Sequence, residues 1–162
     1  MSTTPRCPCS WGWHCSAYCA DALLAFSSLW RDRQWRWATL GGTATAALLG
    51  YFSNLSNMAP SALLLWIAVF PPLEEYVFRG MLQPLIQRHW PRRWRALSAA
   101  NLLTSGLFTL AHVATKGPHL FTLGVFFPSL VFGYFRERHH QLASPIALHM
   151  AYNGAFFGAA AL

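Results

Sequence analysis

The chain has 162 residues, of which 54% are hydrophobic and 10% charged, whereas an ordinary soluble domain carries about a quarter charged residues. So little charge cannot cover a water-soluble surface, and the apolar residues come in blocks near the roughly 20 needed to cross a bilayer as a helix rather than alternating at strand spacing. The net charge of +7 rests on arginines that interrupt these blocks, the pattern of one membrane face, so nucleic acid is set aside as a partner and the lipid bilayer is the expected solvent.

Residues 1–37 read as a cytoplasmic or interfacial segment. The opening MSTTPRCPCSWGWHC has no apolar core followed by a small-residue cleavage site, so no cleavable signal peptide is expected and the first span serves as the insertion signal. Cys7, Cys9, Cys15 and Cys19, with His14, lack paired Cys-x-x-Cys spacing. Free thiols in a reducing compartment are expected there, with a metal site as the alternative. Ala17 to Trp30 is apolar but too short to span and contains Asp21, which suits an interfacial or packed helix.

Residues 38–162 are expected to form an all-α, polytopic transmembrane bundle of five spans. The first is Ala38 to Met58, whose Gly41, Gly42, Ala44, Ala46 and Gly50 let another helix approach closely. The second is Ser61 to Ile86, with a kink or break predicted at Pro71 and Pro72, which remove two backbone donors beside Glu74. Ala96 to Thr115, His119 to Phe135 and Leu142 to Leu162 complete the set. Lys116-Gly117-Pro118 and Arg136 to Gln141 are the last two connections.

With five spans, alternate connections share a side. Arg6, Arg31, Arg33, Arg36, Arg88, Arg92, Arg93, Arg95, Arg136 and Arg138 then fall together, Lys116 lies opposite, and Arg79 stays within a span. The positive-inside rule places the N-terminus in the cytoplasm and the C-terminus outside. Trp30, Trp35, Trp37, Trp90 and Trp94 flank the spans on that cytoplasmic side, at the level where indole rings favour the interface. The expected location is a cell membrane, crossed several times, in the manner of a bacterial inner-membrane protein.

Chemistry concentrates in three of the spans. Glu74 and Glu75 stand together in an apolar segment, where each charge costs about 2.5 to 3.5 kcal/mol on insertion scales. Arg79 is four residues past Glu75, on its helix face, so these two can pair and leave Glu74 free. His112 lies four residues after Phe108 in the third span, and His149 and Asn153 share a face of the fifth. Taken alone, each group is as well explained by packing or an ion pair. Together they are the parts of a hydrolase: a carboxylate to take a proton from water, a histidine to orient that water or relay the proton, and a second histidine or an amide for the oxyanion.

The runs Glu74-Glu75-Tyr76-Val77-Phe78-Arg79-Gly80, Phe108-Thr109-Leu110-Ala111-His112 and His149-Met150-Ala151-Tyr152-Asn153 resemble, in order, the three signatures of the CPBP intramembrane proteases. That family includes the CAAX prenyl endopeptidases and the bacterial abortive-infection and bacteriocin-processing proteins. The resemblance covers Pro71 to Asn153. It implies a glutamic endopeptidase, without metal, acting on a membrane-anchored protein or peptide. Glu74 and His112 would activate water, His149 and Asn153 would form the oxyanion site, and Glu75 and Arg79 would support them. The chain is shorter than the CAAX endopeptidases and resembles the short bacterial members, which mature or trim anchored proteins.

Two other readings stay open. A carboxylate with two histidines is also a catalytic zinc pattern, although no His-Glu-x-x-His helix is present. A membrane immunity factor, scaffold or small transporter could keep the same polar cluster for structure or ion passage. His139 and His140 sit in a basic connection and read as solvated, while His14, His89 and His119 suggest nothing specific. One expectation cuts across the site. At about 1.5 Å per residue, His112 lies roughly 24 Å and His149 roughly 10 Å from the cytoplasmic ends of their spans, so straight, level helices keep them apart. Tilt, a later start of the third span or re-entrant backbone closes that gap.

Overall fold

Helix α1 spans Arg33–Tyr51 in a computed structural model that describes residues 29–53 and 59–161. The cysteine cluster and nearly all of the Ala17 to Trp30 stretch lie outside the described residues, as do residues 54–58 at the expected end of the first span. Asp32 is extended and accepts the N–H of Gln34 at 2.8 Å. That cap satisfies one open donor of the first turn and starts the helix at Arg33 rather than at the expected Ala38.

Helix α2 runs without a break through Pro60–His89. It is the helix among the described residues that is long and apolar enough to cross a membrane. Of the kink or break expected at Pro71 and Pro72, the break does not occur. The backbone instead loosens into π-helical turns at Leu65–Val69 and Tyr76–Leu82, whose longer hydrogen bonds absorb residues that cannot donate. Glu74 and Glu75 end the α-helical stretch Phe70–Glu75 between those turns.

An antiparallel hairpin of two-residue strands, β1 Arg93–Trp94 and β2 Leu97–Ser98, follows. The sequence reading had no strand here. Ser98 then caps α3, Ala99–Lys116, by accepting the N–H of Asn101 at 2.9 Å. The helix stops at Gly117, whose φ of 85° is open to glycine and costly for other residues. The fourth expected span is two helices, α4 Leu120–Gly124 and α5 Phe126–His139. Helix α5 continues through the predicted loop from Arg136 and ends where His140 turns left-handed at φ 55°. Helix α6 spans Ala143–Ala160.

Helices α1 and α6 lie closest. A Cβ at Gly42 would meet the Tyr152 ring and one at Gly50 the Phe156 carbonyl, whereas Gly41 faces open space. Of the small residues predicted to admit a neighbour, Gly42 and Gly50 do so directly, and Ala46 packs against the cluster of Leu29, Trp35, Phe132, Phe135, Leu148 and Tyr152. The Tyr152 hydroxyl donates to the Ala38 carbonyl at 2.7 Å and holds the pair in register.

The distribution of polarity is inverted. Among the described residues buried polar or charged side chains, Glu75, Arg79, Gln83, Asn101 and His149 among them, are as numerous as buried apolar ones, while Leu65, Val69, Leu73, Met81 and Leu85 form an exposed stripe along α2. Opposite that stripe, at four-residue spacing, Glu75, Arg79 and Gln83 are buried. Water as solvent would favour the reverse, so this helix is built for an apolar surround.

Candidate active site

The buried stripe of α2 organises the site. Arg79 follows Glu75 by one turn, and its Nε lies 3.4 Å from Glu75 Oε2 with both side chains fully buried. Two cut-off charges persist only if their remaining hydrogen-bonding groups are also met. The Arg79 guanidinium donates to the Ser129 carbonyl at 3.0 Å and to its hydroxyl, and it lies over the Phe108 ring at 4.7 Å. One turn further on, Gln83 donates to the Gly133 carbonyl at 3.1 Å and to Glu137 at 2.8 Å. Glu137 also accepts from Ser98 and pairs with Arg93 at 3.1 Å, so one carboxylate ties α2, α5 and the hairpin together.

His149 reaches this network from α6. Its Nδ1 lies 2.8 Å from Glu75 Oε1, and because a carboxylate oxygen only accepts, Nδ1 is the donor. The ring stacks on Phe132 at 4.8 Å and meets Phe108 edge-on at 5.9 Å. So held, it turns Nε2 to within 3.6 Å of Glu74 Oε2. The two carboxylates differ in access, since the Glu74 side chain is 27% exposed and that of Glu75 is 0% exposed. The imidazole therefore stands between a sealed carboxylate and an open one.

The other expected site residues are placed less simply. His112 turns Nδ1 to the Phe108 carbonyl at 3.0 Å and lays its ring on Phe108 at 4.4 Å. Both histidines thus reach the same phenylalanine, and the height difference expected between them is closed. Helix α3 begins at Ala99, after a hairpin, rather than at Ala96. The histidine in ion-pair range of Glu74 is His149 and not His112, because the bond to its own helix keeps the His112 ring beside Phe108. Asn153 donates to the Trp66 carbonyl at 2.9 Å. Lys116, one turn past His112, holds its ammonium 4.3 Å over the Trp66 ring.

Sequence reasoning overlooked Ser129, Gln83, Glu137, Arg136 and Trp66. The signal for Gln83 was present, as the next polar residue at four-residue spacing after Glu75 and Arg79. Ser129, Glu137 and Arg136, whose Nε donates to the Arg79 carbonyl at 3.2 Å, carry no local pattern, because each acts across to α2. Among the described residues no three His, Cys, Asp or Glu side chains converge as metal ligands would.

What this arrangement can do is hold a water at an accessible carboxylate inside an apolar shell, next to an imidazole whose orientation is fixed from behind. Residues 54–155, more than half of the chain and all six expected site residues, match the family described as type II CAAX prenyl endopeptidase Rce1-like. Neither a curated protein nor a solved structure matches the chain. With that match the chain belongs to the type II CAAX prenyl endopeptidase Rce1-like family, a family of membrane-embedded helical proteases.

Proposed function

We propose that the protein is an intramembrane glutamic endopeptidase that hydrolyses a peptide bond in a membrane-anchored protein or peptide, with Glu74 as the base. The observation that carries this reading is the His149 ring, set between Glu75 at 2.8 Å and Glu74 at 3.6 Å. A separation of 3.6 Å is too long for a direct hydrogen bond, but a water beside both atoms can bond each. Glu74 takes a proton from that water as the hydroxide adds to the scissile carbonyl carbon. The same proton passes to the leaving nitrogen as the C–N bond breaks, so one water is consumed and a carboxylic acid and an amine result.

His149 orients the water and, when protonated at Nε2, donates to the developing oxyanion. Glu75 fixes its tautomer and ring plane, and Arg79 holds Glu75. With Nδ1 donating to Phe108, His112 keeps Nε2 as an acceptor that can relay a proton at the edge of the site. The apolar outer face of α2 supports a site enclosed by lipid. We place the N-terminus in the cytoplasm and the helices across a bacterial inner membrane in several passes, on the strength of the arginine distribution.

The test is cleavage of a library of anchored peptides, both prenylated CAAX peptides and unprenylated ones, by purified protein in liposomes. Wild type should cleave a subset, and Glu74→Gln should bind the same peptides without turning them over. Well-folded wild type that cleaves nothing across both sets would favour the non-enzymatic reading.

A further inference from the structure

Arg31 and Arg33 flank the Asp32 cap of α1 without a carboxylate partner among the described residues, and the fold brings a third arginine beside them. Arg138, at the end of α5, pairs with Asp32 at 2.5 Å. His139 sets Nε2 3.0 Å from the same Asp32 oxygen and Nδ1 2.8 Å from the Ser144 hydroxyl. These contacts join α1, α5 and α6, and they occupy the Asp32 carboxylate, whose other oxygen accepts the Gln34 N–H. Around them lies an open cleft of about 960 Å³ lined by Arg31, Asp32, Arg33, Trp37, Arg138 and His139. Three guanidiniums against one engaged carboxylate leave it positively charged.

Arginines on one membrane face follow from topology alone and need no ligand. Others on this face are met within the protein, since Arg93 pairs with Glu137, Arg92 lies over the Trp90 ring and Arg136 donates to the Arg79 carbonyl. Arg31 and Arg33 are instead exposed and line the cleft. A guanidinium fork suits the paired oxygens of a phosphate. The source of that phosphate is indicated by a smaller cavity of about 270 Å³, which shares Arg33 and Trp37 with the cleft and adds Arg36 and Leu40. Trp37 and Leu40 are both exposed and three residues apart, so they continue one face of α1 from the arginines into its apolar part. Charge, then an indole, then an aliphatic surface is the profile that a phospholipid presents from headgroup to acyl chain.

We infer that this cleft binds the phosphate of an anionic phospholipid, with Arg31, Arg33 and Arg138 around the headgroup and an acyl chain along Trp37 and Leu40. Such a lipid touches α1 and α5 together and reinforces the Asp32 contacts between them. The inference needs the membrane setting of the family and is independent of the peptidase reading.

The test titrates full-length protein in a neutral maltoside detergent with dioleoyl phosphatidylglycerol, dioleoyl phosphatidylcholine or inorganic phosphate, and reads retained lipid by native mass spectrometry together with Tm. Wild type should retain phosphatidylglycerol in preference to phosphatidylcholine, and its Tm should rise with phosphatidylglycerol concentration. The double variant Arg31→Gln, Arg33→Gln should bind that lipid about 25-fold more weakly, at about fivefold for each arginine near an anionic surface, with its lipid-free Tm unchanged. If the double variant does not fold, Arg33→Gln alone carries the test at about fivefold. The control Arg88→Gln, Arg95→Gln removes the same charge outside the cleft and should leave retention near wild type. Trp37→Ser, which alters no charge, should weaken retention of the dioleoyl lipid. Equal losses in the two arginine pairs would overturn the inference, because only the general charge of the face would then be at work. Inorganic phosphate that displaces the lipid and raises Tm to the same extent would overturn it in favour of a site for free phosphate.

Discussion

His149 Nδ1 and Glu75 Oε1 lie 2.8 Å apart across the α2–α6 contact, and Glu75 is the carboxylate with no exposure. A buried carboxylate that holds an imidazole from behind determines which ring nitrogen remains for chemistry. The two adjacent glutamates therefore differ in role for a geometric reason. Glu75 is spent on Arg79 and His149, while Glu74 is left open.

That division separates two variants. Glu75→Gln leaves Arg79 as a buried cation without its carboxylate and should cost about 3–5 kcal/mol of stability, read by denaturation in detergent. Glu74→Gln should unfold at nearly the wild-type midpoint yet turn over about 10²–10⁴-fold more slowly. Equal stability of the two variants would remove the proposed difference in role.

The close approach of α1 to α6 makes a second prediction at three glycines. Gly50→Ala drives a methyl into the Phe156 backbone carbonyl, which cannot rotate away, and should destabilise by about 1–3 kcal/mol. Gly42→Ala meets the Tyr152 ring and, if the ring shifts, loses the Tyr152 bond to Ala38. Gly41→Ala faces open space and should be neutral or gain up to about 1 kcal/mol from helix propensity. A Gly41 variant that unfolds as readily as the Gly50 variant would contradict the packing described.

Asp32, the N-cap of α1, makes stability depend on acid in a defined direction. Burial raises this carboxyl, but hydrogen bonds from Arg138, His139 and the Gln34 backbone, with the charge of Arg138, more than reverse that and hold it well below the usual carboxylate range. A depressed folded value means the contribution is complete above the unfolded value of about 3.9 and is lost as pH falls through the folded one. The Tm difference between wild type and Asp32→Asn should therefore be constant from pH 7 down to about 5 and shrink below about 4. A difference that stays flat to the lowest pH the fold tolerates would show that Asp32 acts only as the helix cap.

Metal removal supplies the fourth test. With no three-ligand group among the described residues, prolonged chelation should leave peptide cleavage unchanged, and metal analysis of active protein should find less than one zinc per chain. Activity lost to chelator and regained with zinc would revive the metallopeptidase reading.

The sequence by itself carried the apolar character of the chain, the helical class and the three motifs that resemble the protease family. It also carried the Glu75–Arg79 pair, because these are local properties. Hydrophobic blocks set what a segment dissolves in, and four-residue spacing sets which side chains share a helix face. The missing donors at Pro71 and Pro72 were legible too, although the helix accommodates them without a break. The site was decided elsewhere. That His149 rather than His112 stands nearest Glu74, that Ser129 receives Arg79, that Glu137 ties α5 to α2 and the hairpin, and that Asn153 and Arg136 meet the carbonyls of Trp66 and Arg79 are all contacts between residues far apart in the chain. No periodicity encodes them, because each depends on how deep one helix sits against another. That depth follows from the close passage at Gly42 and Gly50 and from the requirement that buried donors and acceptors in an apolar surround find partners.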